Sequence, residues 1–203
     1  MAKEKSGEII SLGDVKRWFR RALIRQRQSI SAANRKKWSK AAVRHLLKTS
    51  YYKKAKVIAS FIGFGSEVIT DGLIEQAWKD GKKVLIPITS RGLDRPFFAL
   101  FQRGDRLQQT TQGPFELVRK KAAFPFGSIH LVIVPGLGFD RDGYRLGYGG
   151  GVYDRILKKT PRAKHIGLFF AQQFIPVLPR GKHDKKMTSI LTEKGVQSPP
   201  WRS

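Results

Sequence analysis

A short apolar run followed by a glycine-rich segment constrains the fold of this chain more than any other feature. Residues 130–135 read His-Leu-Val-Ile-Val-Pro, a pattern typical of a buried strand. Seven of the chain's 20 glycines follow within residues 136–151, and a helix is predicted from about Gly151 to Lys159. In a strand, loop and helix of this kind, backbone amides can turn toward an anion, with the helix dipole behind them.

Other apolar patterns predict strands that alternate with helices. Residues 57–62 and 83–87 are predicted strands, and the helix between them begins after Thr70 and ends at Gly81. A strand–helix–strand unit implies parallel pairing. Further strands are predicted at residues 96–101, 164–170 and 189–192, with a long polar loop over residues 102–129 and a proline-rich tail at the end.

Two amphipathic helices are predicted before the first strand. In the first, Trp18, Phe19 and Leu23 share the apolar side, whereas Arg27 falls on a basic side with other cations. Ser31 is the predicted N-cap of the second helix. We therefore predict an α/β fold of three layers, in which a mostly parallel central sheet carries helices on both faces and two N-terminal helices precede it. Residues 1–203 are expected to form a single domain.

The charge of the chain is unusual. Forty Lys and Arg residues stand against 15 Asp and Glu, a net charge of +25, and residues 15–66 contain no acid. Such a field attracts anions, including nucleic acid. The absence of cysteine excludes disulfides and thiolate metal sites. No apolar run reaches the ~18 residues of a membrane span, and the N-terminus lacks the apolar region of a secretory signal, so we expect a cytoplasmic protein with no membrane partner.

Two residues of the glycine-rich segment add chemistry to its backbone. Arg145 lies within the loop and can pair with phosphate oxygens, whereas Asp154 lies in the first helical turn. Asp154 either caps that helix or holds a Mg²⁺ ion that bridges phosphates. The segment is neither of the two common nucleotide fingerprints, because Val152 occupies the last glycine position of G-x-G-x-x-G and Gly181-Lys182 is not followed by Ser or Thr.

The segment from Pro135 to Arg155, PGLGFDRDGYRLGYGGGVYDR, closely resembles the signature of the 5-formyltetrahydrofolate cyclo-ligase family. The resemblance extends to the basic run Lys16–Arg20, to residues 58–87, and to the pairs His183-Asp184 and Thr192-Glu193. It implies an enzyme that uses ATP and Mg²⁺ to convert 5-formyltetrahydrofolate to 5,10-methenyltetrahydrofolate, ADP and phosphate. Phosphorylation of the formyl oxygen makes it a leaving group, and N10 of the folate then closes on the activated carbon.

The resemblance also implies a set of site residues. Arg145 is the expected catalytic residue. Asp154 and Asp184 are the expected Mg²⁺ ligands. The expected ATP contacts are Lys16, Arg17, Arg20, Arg145, Leu146, Gly147, Tyr148, Gly149, Gly150, Gly151, Val152 and Tyr153. The expected contacts to the reduced folate are Ile62, Glu67, Tyr148, Gly149, Gly150, Gly151 and Val152.

The chain departs from the family pattern at three places. Val152 stands where a tyrosine is expected, so one aromatic contact is lost, and Thr188 stands where the family often has aspartate. Residues 113–121 lack the usual Gly-Ile-x-Glu-Pro pattern, with Arg119 where the glutamate is expected. These departures concern the folate end of the site more than the ATP end. The partners expected on this basis are ATP and a reduced folate, with non-specific polyanion binding from the charge, and we expect a monomer.

Two other functions fit parts of the sequence. The acid-free residues 15–66 interleave cations with Trp18, Trp38, Tyr51 and Tyr52, which is typical of a nucleic-acid surface but leaves the glycine loop unexplained. A sugar-phosphate enzyme could share the same kind of scaffold, since function depends on the site rather than on the fold.

Overall fold

A central β-sheet organises the protein, whose structure is a computed structural model that describes residues 11–89, 96–110 and 113–197. In chain order the strands are β1 (Val57–Ala59), β2 (Lys83–Ile88), β3 (Phe97–Phe101), β4 (Leu107–Gln109), β5 (Phe115–Leu117), β6 (Leu131–Val134), β7 (Gly138–Phe139), β8 (Arg145–Leu146), β9 (Lys164–Leu168), β10 (Ser189–Thr192) and β11 (Gly195–Gln197). The helices are α1 (Leu12–Gln28), α2 (Ala32–Lys48), α3 (Ser50–Lys54), α4 (Asp71–Lys79) and α5 (Val152–Lys159).

Within the described residues, seven strands form the central sheet in the order β11-β10-β9-β6-β1-β2-β3. The five inner strands run parallel, and β3 and β11 are antiparallel strands at the two edges. The prediction of a mostly parallel sheet is confirmed. Strands β1 and β6 are neighbours, although β1 connects through α4 to β2 on its other side, so the chain changes direction across the sheet between β1 and β6.

Helices cover both faces of this sheet. Along β6, Leu131 and Ile133 point to one face and pack in the same core as α2 and α4, whereas Val132 and Val134 point to the other and pack with α5. All four residues are fully buried, as expected for strands covered on both faces. The prediction of three layers is therefore confirmed.

The first helix lies over loops rather than on the sheet. Leu23 of α1 packs with Leu137, Leu146 and Leu178, which follow the carboxyl ends of the strands. Ser31 caps α2 as predicted, since its hydroxyl accepts a hydrogen bond from the Asn34 amide at 3.2 Å.

Two predictions for α1 are wrong. Trp18 was expected on the apolar side, but 65% of its surface is exposed. Arg27 was expected on the basic side of the helix, opposite the apolar residues, but only 4% of it is exposed. Helical periodicity predicts which residues share one side of a helix. Whether that side is buried depends on the residues that pack against it, and these come from distant parts of the chain.

The segment predicted as a long loop is partly ordered into strands. Residues 102–129 contain the β4–β5 hairpin, in which Leu107 pairs with Leu117, and a single 3₁₀ turn at Phe126–Ser128. The end of the predicted proline-rich tail and the first ten residues lie outside the described residues. Among the described residues, no helix is both long and apolar enough to cross a membrane.

Candidate functional site

A cleft of about 1050 Å³ opens at the carboxyl ends of the parallel strands. It lies where β1 and β6 diverge, which is where open α/β sheets bind ligands. One wall comes from the loop after β1, with Ile62 and Glu67, and the opposite wall is the glycine-rich segment after β6. Helix α1 and residues 181–185 close one end, while Pro114 and Phe115 close the other.

The glycine-rich segment first makes a small hairpin, β7–β8, held by a buried carboxylate. Asp140 is fully buried, and its Oδ1 accepts hydrogen bonds from the amides of Asp142 and Tyr144, both at 3.0 Å. Its Oδ2 accepts from Arg180 Nη2 at 2.7 Å. This arrangement delivers Arg145 and the glycines after it to the cleft wall.

The glycines after the hairpin adopt conformations that other residues rarely take. Gly149 has φ +112°, and a Cβ placed there would lie 3.3 Å from the Arg20 guanidinium carbon. Gly151 has φ +61° and precedes α5, whose first turn receives no side-chain cap. The first residues of α5 line the cleft, and among the described residues no side chain caps their amides, which suits an anion.

Two cations of α1 reach the same wall. Arg20 Nε donates to the Gly147 carbonyl at 2.9 Å, and Lys16 Nζ lies 2.5 Å from Asp184 Oδ2. Arg17, predicted as an ATP contact, does not line the cleft. It is exposed and pairs with Asp14, because one residue along a helix turns the side chain by about 100°.

Arg145 is the most enclosed cation of the cleft. Its side chain is 3% exposed, Nη2 lies 3.1 Å from Asp154 Oδ1, and Nη1 donates to the Lys185 carbonyl at 3.3 Å. Its Nε is buried and has no hydrogen-bond partner among the described residues. A buried donor without a partner costs free energy unless a ligand supplies an acceptor.

The two predicted metal ligands lie on one side of the cleft. Asp154 Oδ1 accepts a hydrogen bond from the Lys185 amide at 3.2 Å, so Asp154 directly contacts the neighbour of Asp184. The described residues contain no cluster of three or more His, Cys, Asp or Glu side chains. Two carboxylates fit Mg²⁺ in its usual role with nucleotides, where waters and phosphate oxygens complete the coordination. Each carboxylate is paired with a cation here, Asp154 with Arg145 and Asp184 with Lys16.

Glu67 occupies the other end of the cleft. It is 4% exposed, its Oε2 accepts from the Phe64 amide at 3.3 Å, and its Oε1 accepts from the Tyr148 hydroxyl at 2.9 Å. Burial raises the pKa of this carboxyl, whereas the charge of Arg27 opposes the shift. The Tyr148 ring stacks on Phe64 with a 5.7 Å separation of the ring centroids.

Tyr153 joins the two ends. Its hydroxyl is buried, has no hydrogen-bond partner among the described residues, and interacts electrostatically with both Glu67 and Arg145. Burial raises the pKa of this hydroxyl above its usual value, so it remains a neutral hydrogen-bond donor.

The structure brings together every predicted site residue except Arg17 in the lining of this cleft. Sequence reasoning missed Arg27, behind the wall, and Phe64 beside Tyr148. It also missed Glu116, 9% exposed, which accepts a hydrogen bond from the Thr89 amide at 3.2 Å near the end of the cleft formed by Pro114 and Phe115. Arg119, by contrast, is exposed. The sequence did offer a signal for Glu116, because it follows Gly113 by three residues, the spacing between glycine and glutamate in the family pattern.

Comparison with known proteins identifies relatives of this chain in one enzyme family. The sequence profile of the 5-formyltetrahydrofolate cyclo-ligase family matches residues 13–193. The mouse 5-formyltetrahydrofolate cyclo-ligase is 29% identical over 200 residues, covering 93% of this chain and 98% of the mouse protein. The Escherichia coli K12 enzyme of the same name is 27% identical over 184 residues, covering 86% of this chain and 98% of that protein.

Solved structures share the fold. The 5,10-methenyltetrahydrofolate synthetase of Aquifex aeolicus superposes with a TM-score of 0.79 at 26% identity, covering 93% of this chain and 95% of that one. The synthetase of Mycoplasma pneumoniae has a TM-score of 0.70 at 20% identity, covering 88% of this chain and 98% of that one, which supports the fold alone.

Proposed function

The chain belongs to the 5-formyltetrahydrofolate cyclo-ligase family, and from this premise we propose that its cleft converts 5-formyltetrahydrofolate and ATP to 5,10-methenyltetrahydrofolate, ADP and phosphate. One observation carries the proposal. A phosphate-suited glycine loop with Arg145 and a buried carboxylate suited to a pterin ring, Glu67, face the same cavity of about 1050 Å³.

The nucleotide belongs at the end formed by the glycine loop and α1. Gly149 and Gly151 shape the loop, the uncapped start of α5 supplies amide donors, and Arg20 braces the loop through the Gly147 carbonyl. Lys16 adds a positive charge beside them. Backbone donors and fixed cations of this kind suit phosphate oxygens but do not distinguish one nucleotide base from another.

We propose that Asp154 and Asp184 would hold Mg²⁺ together with the nucleotide phosphates. The ion supplies charge neutralisation to the transferring phosphoryl group. In the structure, Arg145 pairs with Asp154 and Lys16 pairs with Asp184. If Mg²⁺ took their place at the carboxylates, Arg145 and Lys16 would be available to bind phosphate oxygens.

The folate belongs at the Glu67 end. Pterin N–H groups match the two acceptor oxygens of a carboxylate, and Ile62 and the Tyr148 ring offer apolar surface on the same wall. The reacting formyl group then lies near Tyr153, between Glu67 and Arg145. The Tyr153 hydroxyl, which has no hydrogen-bond partner among the described residues, is suited to donate a hydrogen bond to the formyl oxygen before or after its phosphorylation.

The chemistry follows from this placement. The formyl oxygen attacks the terminal phosphorus of ATP and ADP leaves. N10 then adds to the activated formyl carbon, and the C–O bond breaks as phosphate departs and N10 loses its proton. Arg145 is the proposed catalytic residue because its buried guanidinium faces the charge that shifts between oxygens. The protein's main contributions are orientation and charge stabilisation.

The test is an absorbance assay for methenyltetrahydrofolate with ATP, Mg²⁺ and 5-formyltetrahydrofolate supplied, and with each omitted in turn. Product is expected only in the complete mixture. Product without ATP, or no product at all, would contradict the proposal. For the metal, Asp154→Asn is expected to raise the Mg²⁺ concentration needed for ATP binding, measured by calorimetry, whereas an unchanged requirement removes Asp154 from the metal site.

A second property is proposed from the surface charge. Lys36, Lys37, Lys40 and Arg44 are exposed on α2, and no ion pair with an acid involves them among the described residues. They form a surface suited to non-specific polyanion binding. We also propose that the protein acts as a monomer in the cytoplasm, and sedimentation and cell fractionation test the two points.

A further inference from the structure

Arg27 is a buried arginine that does not line the cleft but lies directly behind its wall. It is 4% exposed and one helical turn after Leu23 on the inner side of α1. The residues it contacts come from both loops that form the cleft. Ser66 and Glu67 follow β1, whereas Gly136 and Tyr148 follow β6.

Each nitrogen of the guanidinium has its own acceptor. Nε donates to Ser66 Oγ at 3.0 Å, Nη1 donates to the Gly136 carbonyl at 3.2 Å, and Nη2 donates to the Tyr148 hydroxyl at 2.5 Å. The planar fork of arginine can serve three such directions at once, and a lysine ammonium cannot do so in the same geometry. Arg27 therefore ties the two loops together across the point where β1 and β6 diverge.

This contact also orients the Tyr148 hydroxyl. An arginine can only donate hydrogen bonds, so the hydroxyl accepts from Arg27, and its own proton goes to Glu67 Oε1 at 2.9 Å. The ring is thereby held against Phe64, with 45% of the tyrosine still exposed at the cleft. Arg27 Nη1 lies 3.8 Å from the same Glu67 oxygen.

Four groups face the Glu67 carboxylate. They are the Arg27 guanidinium from α1, the Tyr148 hydroxyl from the glycine loop, the Tyr153 hydroxyl from α5 and the Phe64 amide from its own loop. Arg27 is the cation among them. Burial raises the pKa of Glu67 and the Arg27 charge lowers it, so without Arg27 the carboxyl would take up a proton at a higher pH.

We propose that Arg27 is a positioning residue for the reduced folate, which pairs with the Glu67 carboxyl group and fixes the Tyr148 ring so that both contact the substrate ring system. The inference rests on the proposed function, because recognition of the folate by Glu67 is part of it. Arg27 acts through these two residues, and among the described residues its hydrogen bonds go to Ser66, Gly136 and Tyr148 rather than to the charged side chains of the nucleotide end.

The experiment compares Arg27→Met, Arg27→Lys and the control Arg25→Met, which alters an exposed arginine of the same helix. Initial rates give KM for 5-formyltetrahydrofolate, KM for ATP and kcat, and the pH profile of kcat/KM for the folate gives the acid limb. Arg27→Met is expected to raise the folate KM at least about tenfold and to move the acid limb to higher pH, because the cation that favours the charged form of Glu67 is lost. The ATP KM should stay within about twofold.

Arg27→Lys separates charge from geometry. It is expected to keep the acid limb near the wild-type position, because the charge remains, and to raise the folate KM, because the fork is lost. If Arg27→Met does not fold, Arg27→Gln removes the charge while keeping a donor and carries the same pH expectation. A structural role alone would lower the thermal midpoint and leave the acid limb unmoved.

Two failures are distinguishable. If the wild-type protein forms no methenyltetrahydrofolate, the proposed function itself fails. If the wild type is active while the charge-removing variant has the wild-type folate KM and acid limb, or shifts the KM of both substrates equally, the role assigned to Arg27 is wrong. Arg25→Met should match the wild type in every readout.

Discussion

Lys16 Nζ lies 2.5 Å from Asp184 Oδ2, although the two residues are 168 positions apart in the chain. The pair is mostly enclosed, with 15% and 21% of the two side chains exposed. It closes the nucleotide end of the cleft and joins α1 to the loop before β10. A cation that binds Asp184 through Oδ2 must compete with this lysine.

The first prediction follows from this pair. Lys16→Ala is expected to raise the KM for ATP about tenfold, equivalent to about 1.4 kcal/mol of binding free energy, because a cation is lost beside the phosphates. The folate KM should change little. Initial-rate kinetics with each substrate varied in turn measures both values.

The neighbouring residue provides the control. Arg17→Ala removes the same kind of charge from the exposed side of α1, where it pairs with Asp14. We expect an ATP KM within about twofold of wild type, since exposed charges are screened by solvent and salt. Equal effects of the two substitutions would show that α1 acts only through its overall charge.

The second prediction concerns Arg145. Arg145→Ala is expected to lower kcat by about 10²–10³, or roughly 3–4 kcal/mol, as for the loss of one donor that stabilises a transition state. The folate KM should change much less. Arg145→Lys keeps the positive charge but loses the planar guanidinium, so its kcat should lie between those of the wild type and Arg145→Ala. A normal kcat with only a raised folate KM would move Arg145 out of the nucleotide end.

The third prediction uses the backbone of the glycine loop. Gly149→Ala places a Cβ at φ +112° and 3.3 Å from Arg20, with a backbone cost of about 1–3 kcal/mol. Gly150 has no such φ, and its nearest atom, in Val152, is 3.8 Å away. Gly149→Ala should therefore weaken MgATP binding clearly more than Gly150→Ala does. Isothermal calorimetry with MgATP ranks the two variants, and the reverse order would contradict this account of the loop.

The fourth prediction tests polyanion binding. Reversal of Lys36, Lys37, Lys40 and Arg44 to Glu should weaken binding of a fluorescent single-stranded oligonucleotide and reduce its salt slope by about 3, since each neutralised phosphate contributes about 0.7. Fluorescence anisotropy over a salt series measures both. Product formation should remain close to wild type.

A matched variant separates this surface from net charge. Arg106, Arg119, Lys120 and Arg162 are also exposed, and their reversal to Glu lowers the net charge of +25 by the same eight units. It should weaken oligonucleotide binding much less. Equal losses in both variants would assign the binding to overall charge rather than to α2.

Local patterns were sufficient for much of the fold because they depend on neighbours in the chain. The strand before the glycine loop, the N-cap at Ser31 and the strand at Ser189–Thr192 agree with the structure. The glycine loop also identified one wall of the site, because glycine allows backbone conformations, such as φ +112° at Gly149, that other residues rarely take. Strand β11 and helix α3 carry too few residues for a periodic signal, and they were missed.

The sequence by itself determined an α/β chain whose glycine loop suits phosphate, because strand, turn and capping preferences act over a few residues. Only the tertiary structure decided that Arg27 is buried, that Trp18 and Arg17 face solvent, and that Glu67, Tyr148 and Arg27 meet. A helical pattern specifies which residues share a side, but burial and ion pairing depend on what packs against that side. Here the packing partners of α1 are loops more than 35 residues away in the chain, and no local interaction carries that information.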